Sequence, residues 1–243
     1  MRLQFIGSGD AFGSGGRFNT CFHLTGARTN VLIDCGASSL VALKRAKVER
    51  NAIGTILVTH FHADHFGGIP FFVLDAQLVA KRKEPLLIAG PPGLRGWYDR
   101  LFAATFPGER TLPFELTLQE VDIGKPNALG ELRVTPFVVR HADNAGPCLA
   151  YRIEAEGKTI CYSGDTEWTD VLIEAARGAD LFVCECYMFE KVVRAHLSFS
   201  TLREKLPLIG AKRVILTHMS EDMLSQLSGV DVETAEDGKI VDF

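Results

Sequence analysis

Short apolar runs alternate with longer amphipathic stretches along the chain, and the two periods predict different elements. Residues 2–7 (RLQFIG), 21–26 (CFHLTG) and 30–36 (NVLIDCG) read as strands. Residues 38–49 then read as a helix with serine at its cap. Residues 54–60 (GTILVTH) form a buried strand that ends on a histidine. The spacing in 69–83 (IPFFVLDAQLVAKRK) predicts a helix whose basic last turn suits the helix dipole. Residues 85–90 (PLLIAG) read as a strand and 92–106 as a helix with proline near its start.

The second half continues in the same manner. Residues 115–122, 131–141, 148–157 and 158–165 read as consecutive strands, with EGKT at 156–159 as a hairpin turn. Helices are expected over 168–179, 198–211 and 221–227, and strands over 180–187, 213–218 and 239–243. TILVTH at 55–60 is echoed by RVILTH at 213–218, one in each half, and both end in Thr-His. Two such strands delivering a histidine at the same end predict two halves facing a shared site. The pattern as a whole argues for an α/β sandwich, with mixed sheets packed together and helices outside.

Composition narrows the class. Apolar residues make up 47% and charged residues 23%, and the net charge of -4 gives no general pull toward nucleic acid or anionic membrane. No apolar run approaches the roughly 18 residues that span a bilayer. The N-terminus MRLQFIGSGD carries no small-residue cleavage site, so a secretory signal is not expected. The six cysteines show no CxxC pair or zinc-finger spacing and lie mostly in apolar runs. They read as buried free thiols of a reducing, cytoplasmic protein.

Histidine alters the picture. The chain has 7, and three of them, with Asp64, crowd into THFHADH at 59–65. His60 and His62 are one residue apart, so in an extended segment both imidazoles face one way. Asp64 and His65 follow in the turn, and Gly67-Gly68 let the backbone bend close to the site. Three imidazoles and a carboxylate suit zinc, manganese or iron. Four groups from so short a span fit poorly around one tetrahedral ion, so two ions completed by distant residues are the better geometry. Candidates stand at other strand ends: His141, Asp165 and His218.

The motif THFHADH resembles the HxHxDH signature of the metallo-β-lactamase superfamily, and RH at 140–141, SGDT at 163–166 and THMS at 217–220 fall in that family's order. The resemblance covers essentially the whole chain. It implies one domain over 1–243 with a four-layer αβ/βα fold and a binuclear metal site on one edge. By this match His60, His62 and His141 hold a first ion, Asp64, His65 and His218 a second, and Asp165 bridges them. The expected cofactors are two divalent ions, zinc first, with manganese or iron as alternatives. A pair about 3.5–4 Å apart shares a hydroxide of near-neutral pKa, the expected nucleophile. Asp64 is also expected among the catalytic groups, and Asp34 in LIDCG is expected to orient a ligand histidine from behind.

Flavodiiron oxidoreductases resemble HxExD at this cluster; His62 and His65 point to hydrolysis instead. CECYMFE followed by RAHLSFSTL places Glu185 and His196 as in the phosphodiesterase branch that includes ribonuclease Z, where a glutamate precedes a GHST-like segment. The match is partial, since AHLS stands in that place. In that branch the histidine contacts a phosphate oxygen or assists the leaving alkoxide, and the acid orients it. The Gly-rich opening GSGDAFGSGGRFN resembles that branch's substrate-side loop, which makes Arg17 a candidate phosphate contact; Asn144 is a candidate at the pocket rim. Ribonuclease Z carries a long tRNA-gripping insertion between the His and bridging-Asp motifs. Here 23 residues separate His141 from Asp165. The expected substrate is therefore a small phosphodiester such as a cyclic nucleotide, with nucleic acid not favoured and no membrane partner. The alternatives are a tRNA 3′-processing nuclease, a thioesterase or lactonase of the same fold, and a non-catalytic metal sensor. The apolar stripe 68–82 is a candidate homodimer face, or packs on its own sheet.

Overall fold

A computed structural model describes residues 1–108 and 111–243. Its strands are β1 (Arg2–Gly7), β2 (Cys21–Thr25), β3 (Asn30–Ile33), β4 (Thr55–Leu57), β5 (Leu86–Gly90), β6 (Leu116–Glu120), β7 (Asn127–Leu129), β8 (Leu132–Val138), β9 (Leu149–Ala155), β10 (Lys158–Tyr162), β11 (Leu181–Glu185), β12 (Val214–Thr217), β13 (Glu233–Thr234) and β14 (Ile240–Asp242). The helices are α1 (Ser39–Arg45), α2 (Ala63–Phe66), α3 (Ile69–Leu78), α4 (Leu94–Thr105), α5 (Val171–Ala176), α6 (Phe199–Ile209) and α7 (Glu221–Leu224).

Successive residues of a strand face opposite ways, and this sorts the apolar side chains into three cores. Leu57 faces the opposing sheet and packs with Phe5, Phe22, Tyr151, Val183 and Ile215. Its neighbours Ile56 and Val58 turn outward to pack with Leu43, Phe72, Val73 and Leu94 of α1, α3 and α4. On the other outer face Cys161, Phe182 and Leu216 pack with α5 and α6 through Leu172, Ala176, Phe199 and Leu202. The architecture is thus helix, sheet, sheet, helix, as the metallo-β-lactamase resemblance implies. All six cysteines are buried and free.

The two seven-stranded sheets share one pattern. The orders are β14-β1-β2-β3-β4-β5-β6 and β7-β8-β9-β10-β11-β12-β13. In each, three antiparallel pairings are followed by three parallel ones. Counted along these orders, β4 corresponds to β11 and β12 to β5. The Thr-His echo therefore does not mark equivalent strands. It marks two parallel strands whose C-terminal ends lie at the same edge.

Several sequence expectations shift at element ends. The strand expected over 30–36 stops at Ile33, because Asp34 takes a left-handed backbone (φ 58). The helix expected over 69–83 ends at Leu78, and no basic residue lies in its last turn. Arg82 instead leaves the helix, is buried, and donates to the carbonyls of Glu84 and Ile53 at 2.7 and 2.8 Å. Carbonyls left open by the neighbouring loops, not the helix dipole, account for its position. Most of α3 buries against its own sheet, with Phe71 and Leu78 left exposed. The EGKT hairpin forms as expected, with Glu156 and Gly157 both at positive φ. Among the described residues no helix is long and apolar enough to cross a membrane.

Candidate metal and active site

The segment after β4 remains extended as far as His62, which stands at the cap of α2 with φ -66 and ψ 151. His60 Nε2 lies 3.1 Å from His62 Nδ1, and His141 Nε2, arriving from the end of β8, lies 3.0 Å from the same atom. The turn of α2 then brings Asp64 and His65 to a second cluster. His65 Nε2 is 3.3 Å from Asp64 Oδ2 and 3.2 Å from Asp165 Oδ2. His218 Nε2 is 3.1 Å from that same Asp165 oxygen, which also lies 3.8 Å from His141 Nε2. Seven side chains expected from the sequence thus converge as a group of three and a group of four. Asp165 stands between the groups.

The local fold needs close backbone approach here. A Cβ on Gly68 would collide with the Gly36 carbonyl oxygen, and one on Gly36 with the Asp64 carbonyl oxygen. Gly67 and Gly68 have ordinary helical dihedrals (φ -65 and -81), so these glycines serve packing and not an unusual turn. Asp34 and His218 both sit at φ 58, a costly conformation for such residues at the ends of β3 and β12.

The outward ring nitrogens are also partnered. His65 Nδ1 donates to Asp34 Oδ2 at 2.7 Å, and His141 Nδ1 donates to the Ala195 carbonyl at 2.8 Å. Asp34 also accepts from the Thr59 amide and hydroxyl at 2.7 and 2.8 Å. With that proton committed, the Thr59 oxygen accepts from His60 Nδ1 at 3.1 Å. Thr20 Oγ1 stands 3.2 Å from His218 Nδ1 and 3.3 Å from the Gly9 carbonyl, so its hydroxyl donates to the carbonyl and accepts from the ring. Each of these bonds uses Nδ1 as the donor, so Nε2 is the nitrogen turned toward the site and the one free to ligate once it carries no proton. Sequence reasoning anticipated Asp34 but missed Thr59, Thr20 and the Ala195 carbonyl. The threonine of VTH was visible as a signal. Its counterpart Thr217 bonds the Ser8 carbonyl instead, so the echoed residues do different work.

Electrostatics distinguish the two groups. Burial, reinforced by neighbouring imidazoles, pushes His60, His62 and His141 below the ordinary histidine range, leaving neutral rings with free lone pairs. In the group of four, burial opposes ionisation of Asp165, yet His218 and His65 hold it well below the carboxylate range. Burial likewise opposes charging of His65, but Asp165, Asp64 and Asp34 hold it well above its usual value. His65 Nε2 and Asp165 Oδ1 are buried without a hydrogen-bond partner. The carboxylates that favour a proton on His65 would favour a metal cation in its place, so these imidazole nitrogens and carboxylate oxygens, packed together, form a donor set that fits divalent cations.

Beside these groups, His196 Nδ1 lies 3.0 Å from Glu185 Oε1. Glu185 is fully buried at the end of β11 and also accepts from the Thr166 and Leu197 amides at 2.5 and 3.2 Å. Burial acts to lower His196, but the Glu185 carboxylate more than offsets it and raises the ring to about 9. The His196 ring stacks on Tyr187, with centroids 4.6 Å apart, and remains partly open. Ala195 occupies the glycine place of the GHST-like pattern and takes φ 74. The Arg17 guanidinium donates to the Ala235 carbonyl at 2.8 Å, tying the Gly-rich loop to the C-terminal segment. Asn144 is exposed on the loop after His141.

A ribonuclease Z from Agathobacter rectalis is 27% identical over 86% of this chain and 84% of its own length. Among solved structures, the metallo-β-lactamase fold protein YhfI from Bacillus subtilis superposes with a TM-score of 0.81 at 20% identity, covering 99% of this chain and 98% of its own. The short form of human tRNase Z gives 0.80 at 23% identity, covering 100% and 99%. With the site above, these likenesses make the chain a metal-dependent hydrolase of the metallo-β-lactamase superfamily, in its ribonuclease Z-like branch. The profile of one family matches residues 1–236, nearly the whole chain, and by that match the protein belongs to the family described as "Anti-Pycsar protein Apyc1".

Proposed function

We propose that the protein is a phosphodiesterase acting on a small phosphodiester such as a cyclic nucleotide. The Glu185–His196 pair carries the reading. A phosphodiester has a poor leaving group, and His196 is built to help it leave. Glu185 engages Nδ1, which turns Nε2 toward the site, and its charge keeps a proton on the ring for the departing alkoxide. His60, His62 and His141 would hold one divalent ion and Asp64, His65 and His218 a second, with Asp165 between them; zinc is the first candidate, then manganese or iron. Bound there, the ions would supply Lewis-acid activation of water and charge neutralisation of the phosphate. The residues behind them, Asp34, Thr59, Thr20 and the Ala195 carbonyl, keep the ligand rings in register. Six buried free thiols suit a cytoplasmic setting.

A nuclease reading is favoured by the relatives named ribonuclease Z. Two features support the smaller substrate instead. The β9–β10 hairpin fills the chain between His141 and Asp165, where the tRNA-gripping arm would stand. The net charge of -4 suits a polyanion poorly. A panel of 2′,3′-cyclic, 3′,5′-cyclic, dinucleotide and tRNA-precursor substrates, each with zinc, manganese and iron, ranks the readings. His196→Ala should lower kcat on 3′,5′-cyclic AMP, whose departing alkoxide needs a proton, by about 10²–10⁴-fold, the range of a general acid, and should affect a thioester, or the nitrophenolate ester bis-p-nitrophenyl phosphate, far less. A variant that retains the full phosphodiesterase rate refutes the assignment.

A further inference from the structure

Phe12 is 83% exposed, more than any other large hydrophobic residue among those described. The loop that carries it is held too firmly to tuck the ring away. Asp10 accepts from the Phe12 and Ser14 amides at 3.2 and 2.9 Å and from the Ser14 hydroxyl at 2.8 Å. The Gly15 amide donates to Glu221 at 2.7 Å, and the Phe18 amide to Asp237 at 2.8 Å. Gly13, Gly15 and Gly16 lie at φ 69, 64 and 72, which closes the loop in a form other residues resist.

The base of this loop is a wall of the site. The His218 amide donates to the Ser8 carbonyl at 3.1 Å, and Thr20 joins His218 to Gly9. The rings of Tyr187 and His196 lie beside His218, with centroids 6.2 and 5.7 Å from it. Tyr187 in turn stacks on His196. The loop therefore borders the half of the site where the leaving group departs.

A second aromatic feature lies near His62, a cavity of about 390 Å³ lined by Phe61, Ala63, Trp97 and Arg100. There Trp97 stacks on Phe61 at 5.4 Å, and Arg100 covers the ring at 4.9 Å. Trp97 is thus already engaged by a ring and a guanidinium. Phe12 presents an open face on a preorganised support.

We propose that Phe12 is the stacking platform for the nucleobase of the phosphodiester substrate, presented by the Asp10–Ser14 loop beside His218 and His196. The proposal rests on the phosphodiesterase reading and adds a base-binding subsite to it. Every base offers a π-face, and phenylalanine has no hydrogen-bonding edge, so such a platform accepts purines and pyrimidines alike.

The metal-loaded enzyme tests this with two diesters, 3′,5′-cyclic AMP and the base-free, non-aromatic 1-O-methylribose 3′,5′-cyclic phosphate. Phe12→Ala should raise KM for cyclic AMP about tenfold, the lower part of the range for one base–aromatic stack, and by more than it raises KM for the base-free diester. Calorimetric binding of AMP should weaken by a similar factor. Phe12→Trp should restore affinity, and Phe12→Leu, apolar but without a π-face, should not. Equal KM changes for the two diesters, or none for cyclic AMP, overturn the platform while wild-type turnover leaves the phosphodiesterase reading standing. Sedimentation in which Phe12→Ala splits a wild-type dimer without altering the KM for cyclic AMP makes Phe12 a subunit contact and likewise overturns it. A wild type that cleaves neither diester removes both readings together.

Discussion

Replacing Asp34 with asparagine should cost the protein one cation more than the other. Asp34 is fully buried, and its two oxygens accept three short bonds, from the Thr59 amide and hydroxyl and from His65 Nδ1. Asparagine keeps one acceptor oxygen. Placed to satisfy Thr59, it turns its NH₂ toward a ring nitrogen that is itself a donor. As a metal ligand His65 carries a single proton, and to accept from that NH₂ it must move the proton to Nε2, the atom that faces Asp64 and Asp165. A protonated Nε2 cannot ligate. The group of four loses a donor, while His60, still held by Thr59, does not. Loss of such an orienting carboxylate typically costs about 10–100-fold in metal affinity, or roughly 1.4–2.7 kcal/mol. Titration with zinc under a competing chelator should give two tight sites for the wild type, and one tight and one weakened site for Asp34→Asn. Two unchanged sites would refute the tautomer argument. Equal weakening of both would mean that the carboxylate acts by its charge and not by orienting His65.

Ala195→Gly should stabilise the fold by about 0.5–1 kcal/mol, because φ 74 penalises a side chain more than glycine's extra chain entropy does; thermal melting should show a rise of about 1–4 °C, and a fall would count against the strain. Glu233 is bonded by Arg213, against the opposing cost of partial burial, and with help from Lys239 it is held down to about 2. A depressed carboxyl stabilises the fold fully above its unfolded pKa of about 4.5 and loses that contribution as pH falls toward 2. The stability gap between wild type and Glu233→Gln should therefore be constant above about pH 5.5, at most about 1 kcal/mol for so exposed a group, and close by pH 2 in acid titrations. A gap that persists at pH 2 would show that packing, not charge, is lost.

The site was unusually legible because its groups stand at the ends of apolar strands, where the chain must turn and polar residues are conspicuous. His60, His141, Asp165 and His218 each follow such a run, so locating the strands located the ligands. The supporting layer was less visible. Thr59 and Thr20 look like ordinary strand-end threonines, and the Ala195 carbonyl has no sequence signature. Only the folded backbone brings them behind the rings. The repeat was legible in part. TILVTH and RVILTH correctly indicated two strands aimed at one edge, but six residues do not carry the strand order, and the place of β12 in its sheet corresponds to β5 in the other, not to β4. Helix ends were misplaced where tertiary partners outweighed local preference, as when Arg82 left α3 for buried carbonyls.

His60, His62, Asp64 and His65 hang from one sheet, and His141, Asp165 and His218 from the other, so each cluster draws on both halves. A cation held there is a cross-link between the halves as well as a reagent. Prising the two sheets apart would release it, so at saturating metal the opening of the sandwich is disfavoured by an extra RT ln(1 + [M]/Kd) per ion. The reactive centre doubles as the clasp of the scaffold, and chelation should loosen the seam before it unravels either sheet.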